Sequence, residues 1–342
     1  MTITVNAFIA LLVTSSAGAS FLPADASPQF AADPGMHLLS KMVSSVTDFE
    51  KGDCELLVKN LLATKDVTLP AARDWLEVFA KRPEKERYPW REHAAAMLTA
   101  LGASGDKQVP EFLIEFMKEP AATDYATFPD FAGMETRARL RDYAAYAYMP
   151  YDREGAAELA MEFIERDPFA SRLCALILDR HWSHKASRTV LDLAGKTSWT
   201  TTIATALQVL QRNDPSMYIT ALELFRKELL EQEPPFGTAI ERFRYVVRRK
   251  RLPEAFAILE EKAMVKTFVE LLDPEDRGAK GESPVLPDDG ETEEPYSRSV
   301  TERAIVAIQD ILGKDFGYAD EQSDEDRRAV IERIKRWVAR NM

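Results

Sequence analysis

A pattern that keeps returning along the chain limits what it can fold into. Between Trp90 and Glu119 apolar residues recur twice at helical spacing, first at Ala94, Met97, Leu98 and Leu101, then at Val109, Phe112, Leu113, Phe116 and Met117. Gly102 is placed to end the first run in a left-handed conformation, and Asp106 to begin the second. Two short amphipathic helices joined so tightly form an antiparallel hairpin whose apolar faces need neighbours on both sides. Further pairs are predicted downstream. One runs from Met134 to Pro168, turning at Pro150 and Asp152, with Ala157, Leu159, Ala160 and Phe163 on its second helix. The next spans Phe169 to Trp199; a third starts at Thr200 and breaks at Asn213-Asp214-Pro215, and a fourth starts at Gly237 and breaks at Leu252-Pro253. Starts near Trp90, Thr136, Phe169, Thr200 and Gly237 lie about 30 to 46 residues apart, the period of helical solenoids.

Composition agrees with helix. Only 14 of 342 residues are Gly, while 46% are hydrophobic, and no run of strands with Gly-rich turns is visible. The 56 acidic against 44 basic residues give a net charge of −12, which repels polyanions and argues against non-specific nucleic-acid binding. Cys54 and Cys174 are too few for a disulfide framework or a cysteine zinc site. They could pair in an oxidising compartment, but their separation favours two free thiols packed as small apolar side chains.

The N-terminal stretch carries an apolar run from Ala7 to Val13 and an A-x-A pattern at Ala17-Gly18-Ala19, which reads as a signal peptide over residues 1–19 cleaved after Ala19. This predicts a periplasmic or secreted protein; with no Lys or Arg before Lys41, a cytoplasmic location is the alternative. Residues 20–35 read as a Pro- and Ala-rich linker, 36–272 as helical repeats, 273–297 as an acidic Pro/Gly-rich loop and 298–342 as a final helical pair. No apolar run beyond the first segment approaches the roughly 20 residues that span a bilayer.

The stretch AAAMLTALGASGDKQVPEFLIEFM, with its Leu-Gly, Gly-Asp, Pro and Leu order, resembles HEAT-like repeats, and ERAIVAIQDILGKDFGYADEQSDEDRRAVIERIKRWVARN resembles the last repeat of bacterial HEAT-like repeat proteins. The resemblance covers most of residues 50–342. It implies an α-solenoid used as a binding surface and implies no chemistry.

Asp315-Phe316-Gly317 matches the magnesium-binding tripeptide of protein kinases, but the Gly-rich loop, strand Lys and His-Arg-Asp loop that a kinase needs are missing from the sequence. Here the tripeptide reads as a turn: Gly313 ends one helix, Phe316 and Tyr318 pack over the hairpin, and Ser323 with Asp326 begins the next. Gly195-Lys196-Thr197 ends like a phosphate loop, yet Val190 stands where that motif needs Gly. His181 and His184, with Asp179 near, could share one helical turn around a zinc ion, but two ligands and one acid do not complete a site. No nucleophile elbow or His-Glu-x-x-His occurs, and four histidines leave a thin acid–base inventory.

The basic run RFRYVVRRKR stands out in an acidic chain. Arg242, Tyr245 and Arg249 share a face by helical spacing, and with Arg244, Arg248 and Arg251 they could meet an acidic peptide or anionic glycan. Tyr143 and Tyr146, beside Tyr148 and Tyr151, form the second candidate contact. The expectation is an all-α, right-handed solenoid of about six HEAT-like hairpins. It acts as a non-catalytic scaffold or binding protein that engages a protein or peptide through a concave face, with no cofactor and no metal. The alternative is a helical-array hydrolase or lyase acting on a polysaccharide or peptide. A third reading is structural, with a cation held at Asp288, Asp289 or Glu291.

Overall fold

The computed structural model describes residues 33–46, 51–129, 135–167, 170–231, 238–276, 279–280, 296–320 and 322–342. The N-terminal 19 residues read as a signal, most of the linker, the acids Asp288, Asp289 and Glu291, and the Cys54 side chain all lie outside the described residues.

Helix starts follow local capping chemistry. Asp33 accepts the Met36 amide at 2.8 Å ahead of α1 (Pro34–Ser44). Then come α2 (Lys51–Ala63), α3 (Lys65–Lys81) and the short α4 (Glu84–Arg87), followed by α5 (Arg91–Ala103) and α6 (Val109–Phe116). After a hairpin of two strands, β1 (Tyr125–Pro129) and β2 (Glu135–Arg139), helices resume with α7 (Leu140–Tyr148), α8 (Arg153–Arg166), α9 (Arg172–Arg180) and α10 (His184–Lys196). Asp152, Ser171 and Ser183 cap α8, α9 and α10 through the amides of Gly155, Leu173 and Ala186. Next are α11 (Thr200–Asn213) and α12 (Pro215–Leu230), separated by Asp214, which caps α12 through the Met217 amide with Pro215 at its first position. The chain closes with α13 (Ala239–Ile258), α14 (Val265–Glu270), the two-residue strands β3 (Ala279–Lys280) and β4 (Tyr296–Ser297), α15 (Val300–Leu312) and α16 (Asp324–Asn341). A full capping box at Ser299 and Glu302 starts α15.

The architecture is mostly helical, with helices two apart in sequence packed side by side. α5 contacts α7, α7 contacts α9, and the series continues through α11 and α13 to α15; α8, α10, α12, α14 and α16 form a matching series. Buried alanines mark the first series: Ala94, Ala95, Ala96 and Ala100 in α5, Ala144, Ala145 and Ala147 in α7, Ala175 in α9, Ala204 and Ala206 in α11, Ala255 in α13, and Ala304 and Ala307 in α15. One apolar cluster runs from Met36 to Leu173 and a second from Ala145 to Val338, with Met117, Tyr146 and Tyr148 packed against both.

Three local expectations are corrected. Thr136 begins no helix: residues 135–139 form a strand, in which Thr136 and Ala138 are buried while Arg137 and Arg139 face outward, and Tyr125 pairs with Arg139 in antiparallel register. Leu252-Pro253 is not a turn. The helix runs through it because Leu252, Ala255 and Phe256 are fully buried, and packing overrides the loss of one backbone hydrogen bond. The chain reverses instead at Glu260, a non-glycine residue at φ 51°. Gly102 does not end its helix in a left-handed conformation either; Gly105 takes that role at φ 73°. Gly102 serves a packing purpose, since a Cβ there would meet the Ala147 Cα at 2.6 Å and its carbonyl oxygen at 2.7 Å.

Two outcomes follow. Gly102→Ala gains about 1 kcal/mol of helix propensity but must push α7 away, so a net loss of about 2 kcal/mol is expected in urea denaturation. His93 on α5 is 5% exposed beside the backbone of Val43 and Val46, and burial pushes its pKa down to about 4. The unfolded chain therefore binds the proton first, so this contribution is complete above pH 6.5 and is lost as pH falls toward 4, by about 3 kcal/mol. Urea midpoints measured from pH 7 to 4 should fall more steeply in wild type than in His93→Phe.

Candidate anion-binding groove

α16 carries Arg333, Arg336, Trp337 and Arg340 at positions i, i+3, i+4 and i+7, which places three guanidiniums and an indole on one helix face. Its opposite face is anchored by buried Val330, Ile331, Ile334 and Val338, so the cations are turned outward. Ser323 accepts the Asp326 amide and sets where this helix begins.

The preceding turn supplies the other wall. Gly313 sits at φ 58°, and the amides of Gly313 and Lys314 return to the carbonyls of Asp310 and Gln309 at 3.2 and 3.0 Å. The Phe316 amide donates to Gln309 Oε1 at 2.9 Å, and the Gly317 amide to Asp315 Oδ1 at 2.6 Å. The Phe316 ring is buried and lies edge-on to Trp337 with centroids 6.0 Å apart. Arg333 Nε donates to the Phe316 carbonyl at 3.0 Å, locking turn to helix. The Asp-Phe-Gly tripeptide is thus turn chemistry, and it fixes Lys314 with its Nζ 5.7 Å from the Phe316 ring and 5.8 Å from the Trp337 ring.

The result is an open cavity of about 490 Å3 lined by Lys314, Asp315, Phe316, Arg333, Arg336, Trp337, Arg340 and Asn341. A second cavity of about 650 Å3 lies on the far side of Trp337, bounded by Lys262, Ala263, Lys266, Leu312, Asn341 and Met342. The two share Trp337 and Asn341. Among the described residues, Lys262, Lys266, Lys314, Arg336 and Arg340 form no ion pair, and all five are exposed. Unpaired guanidiniums beside a rigid aromatic suit carboxylate or phosphate oxygens.

The sequence candidates sit elsewhere, and Tyr245, Arg248, Arg249, Arg251 and Tyr143 are engaged internally. Tyr245 donates to the Glu228 carbonyl at 3.1 Å and Arg249 to the Leu229 carbonyl at 2.6 Å, both at the C-terminal end of α12. Arg251 donates to the Ser198 carbonyl at 3.1 Å. Arg248 donates to the Gly195 carbonyl, pairs with Glu228 at 2.5 Å and stacks 5.3 Å over Phe225. These cations satisfy orphan carbonyls at the ends of other helices, a different partner from the dipole of their own helix. Burial raises the Glu228 pKa and lowers that of Arg248. Arg242 is exposed, and the Arg244 side chain lies outside the described residues. Tyr143 is buried and donates to the Thr136 carbonyl; Tyr146 is half-buried between the two apolar clusters.

His181 is the C-terminal cap of α9 and His184 the first residue of α10, so they do not share a helical turn. Asp179 accepts from Arg212 and Asn213, each at 2.6 Å. Among the described residues no group of three or more His, Cys, Asp or Glu side chains is placed to hold a metal ion. Two of the carboxylates whose pKa burial raises are likewise committed: Asp142 accepts the Ser171 amide at 3.1 Å, and Glu92 accepts that of Thr127 at 3.5 Å. No described helix is long and apolar enough to cross a membrane.

No family model, curated protein or solved structure matches the chain. The groove therefore rests on its own geometry. Sequence reading passed over it although its signal, R-x-x-R-W-x-x-R in a single helix, was present.

Arg248→Met strands the buried Glu228 carboxylate and should cost about 3 kcal/mol in urea denaturation, whereas the exposed Arg336→Ala should change stability by less than about 0.5 kcal/mol.

Proposed function

We propose that this chain is a non-catalytic helical-repeat binding protein, a right-handed HEAT-like solenoid that holds an acidic segment of a partner protein in the Trp337 groove. The lateral contacts between alternate helices support the repeat reading, because stacked hairpins bury a continuous core in this way. The observation that carries the binding reading is the set of five unpaired cations around a half-buried indole, in a chain of net charge −12. Such a cluster opposes neither folding nor solubility, but it is uncompensated by the fold itself. An acidic peptide supplies the missing charge, and the aromatic supplies a rigid surface that loses little entropy on binding.

The binding face is accordingly moved from the Arg242–Arg251 segment, where Arg248, Arg249 and Arg251 are engaged by carbonyls of neighbouring elements, to α14, α16 and the turn at Lys314. Isothermal titration with glutamate-rich peptides tests the reading. Binding should weaken as salt rises, and Arg336→Glu with Arg340→Glu should reduce affinity at least about tenfold while thermal stability is kept. If acidic peptides fail to bind at low salt, or bind the double variant equally well, the reading is wrong.

A further inference from the structure

The two cavities flanking Trp337 differ in kind. The one toward Lys314 carries Lys314, Arg333, Arg336 and Arg340 beside Phe316, Trp337 and Asn341, against a single acid, Asp315, whose Oδ1 accepts the Gly317 amide. The one toward α14 is lined by half-buried Leu312 and exposed Ala263 and Met342, together with Lys262 and Lys266. A uniform polyanion would use the first and gain little from the apolar part of the second, which cannot solvate charge. We infer that the groove reads a bipartite peptide motif, in which acidic residues meet the arginine side, an apolar residue crosses the indole into the Leu312 cavity, and a further acidic residue reaches Lys262 and Lys266. This rests on the acidic-segment reading above and adds the sequence pattern it selects. The indole separates the two subsites, so it acts both as a stacking surface and as the divider that sets the motif's order.

A peptide ligand fits these observations better than a membrane. The site is concave and framed by a turn and two helices, whereas the chain as a whole is repelled by an anionic surface. Charge complementarity between a cationic groove and an acidic strand selects the occupant, and the apolar side chains around Leu312 select the residue within it.

The test uses the full chain and two ten-residue peptides of equal charge, each with two glutamates, a central residue and two more glutamates, the central residue being leucine in one and serine in the other. Titration calorimetry should show the leucine peptide binding wild type about fivefold or more tightly than the serine peptide. Lys262→Glu with Lys266→Glu should weaken the leucine peptide at least about fivefold, and Leu312→Ser should erase the preference between the two peptides. Arg336→Glu with Arg340→Glu should weaken both alike. Equal binding of both peptides, with no effect at Lys262 and Lys266, overturns the bipartite motif but leaves an acidic-peptide site standing. Failure of both peptides to bind removes that reading too. Arg336-dependent binding to vesicles of 3:1 phosphatidylcholine and phosphatidylserine, in the absence of peptide binding, would assign the groove to lipid and overturn the inference. A gain of more than about tenfold in peptide affinity on deleting residues 281–295 would make the chain's own acidic stretch the occupant, and the assignment to a partner would fall.

Discussion

Close approach between neighbouring helices is the constraint on which the rest of this structure depends. Where α5 crosses α7, Gly102 meets the backbone of Ala147 with no room for a methyl group. The alanines of α7, α9, α11, α13 and α15 are then buried along the same series of lateral contacts. Small residues let backbones approach and leave the larger Leu, Ile and Phe side chains to fill the space between the two series. A helix such as α5, buried over nearly every residue from His93 to Gly102, could not exist as a surface helix. Its sequence is consistent only with neighbours on several sides, and so the array extends.

Once helices are stacked this tightly, their ends become the difficulty. The last carbonyls of each helix have no intrahelical donor, and where an end is covered by the next hairpin, water cannot supply one. The basic run of α13 meets that need at α12 and at the junction of α10 and α11. This explains why an acidic protein concentrates arginine there: the guanidinium offers several donors in a fixed plane and reaches two acceptors at once, as Arg248 does with Gly195 and Glu228. On α16, Arg327 and Arg333 are engaged in the same way, by the carbonyls of Pro274 and Asp276 and of Phe316, whereas Arg336 and Arg340 form no ion pair among the described residues. Identical residue types thus divide into structural and available sets by what lies opposite them.

That division was not legible from sequence. Helical periodicity, the caps at Asp152, Asp214 and Ser323, and the Gly313 stop are local signals, and local signals were enough for helix content and for the turn at Asp315. The strands at 125–129 and 135–139 carry little hydrophobic contrast in sequence, because the buried positions Ala126, Thr136 and Ala138 are small and alternate with Tyr125, Thr127, Arg137 and Arg139. Pro253 was misread as a break because the price of one absent amide is local, while the burial of Leu252 and Phe256 that outweighs it is set by the fold. For RFRYVVRRKR against R-x-x-R-W-x-x-R, composition favoured the first, which has more cations. Availability favoured the second, and availability is a tertiary property.

The electrostatics of the groove have a further consequence. With a net charge of −12, the far field of the protein repels any acidic partner, and local attraction dominates only within about one Debye length, roughly 8 Å at physiological ionic strength. Salt then screens two opposing forces. Long-range repulsion slows encounter at low salt, whereas the contacts with Arg336, Arg340 and Lys314, the last beside the Phe316 and Trp337 rings, act on dissociation. A site arranged in this way gains little from steering and much from fit. Discrimination among acidic segments must then come from what touches the indole and the Leu312 cavity, because charge alone attracts every acidic segment only after the protein's own field has been overcome.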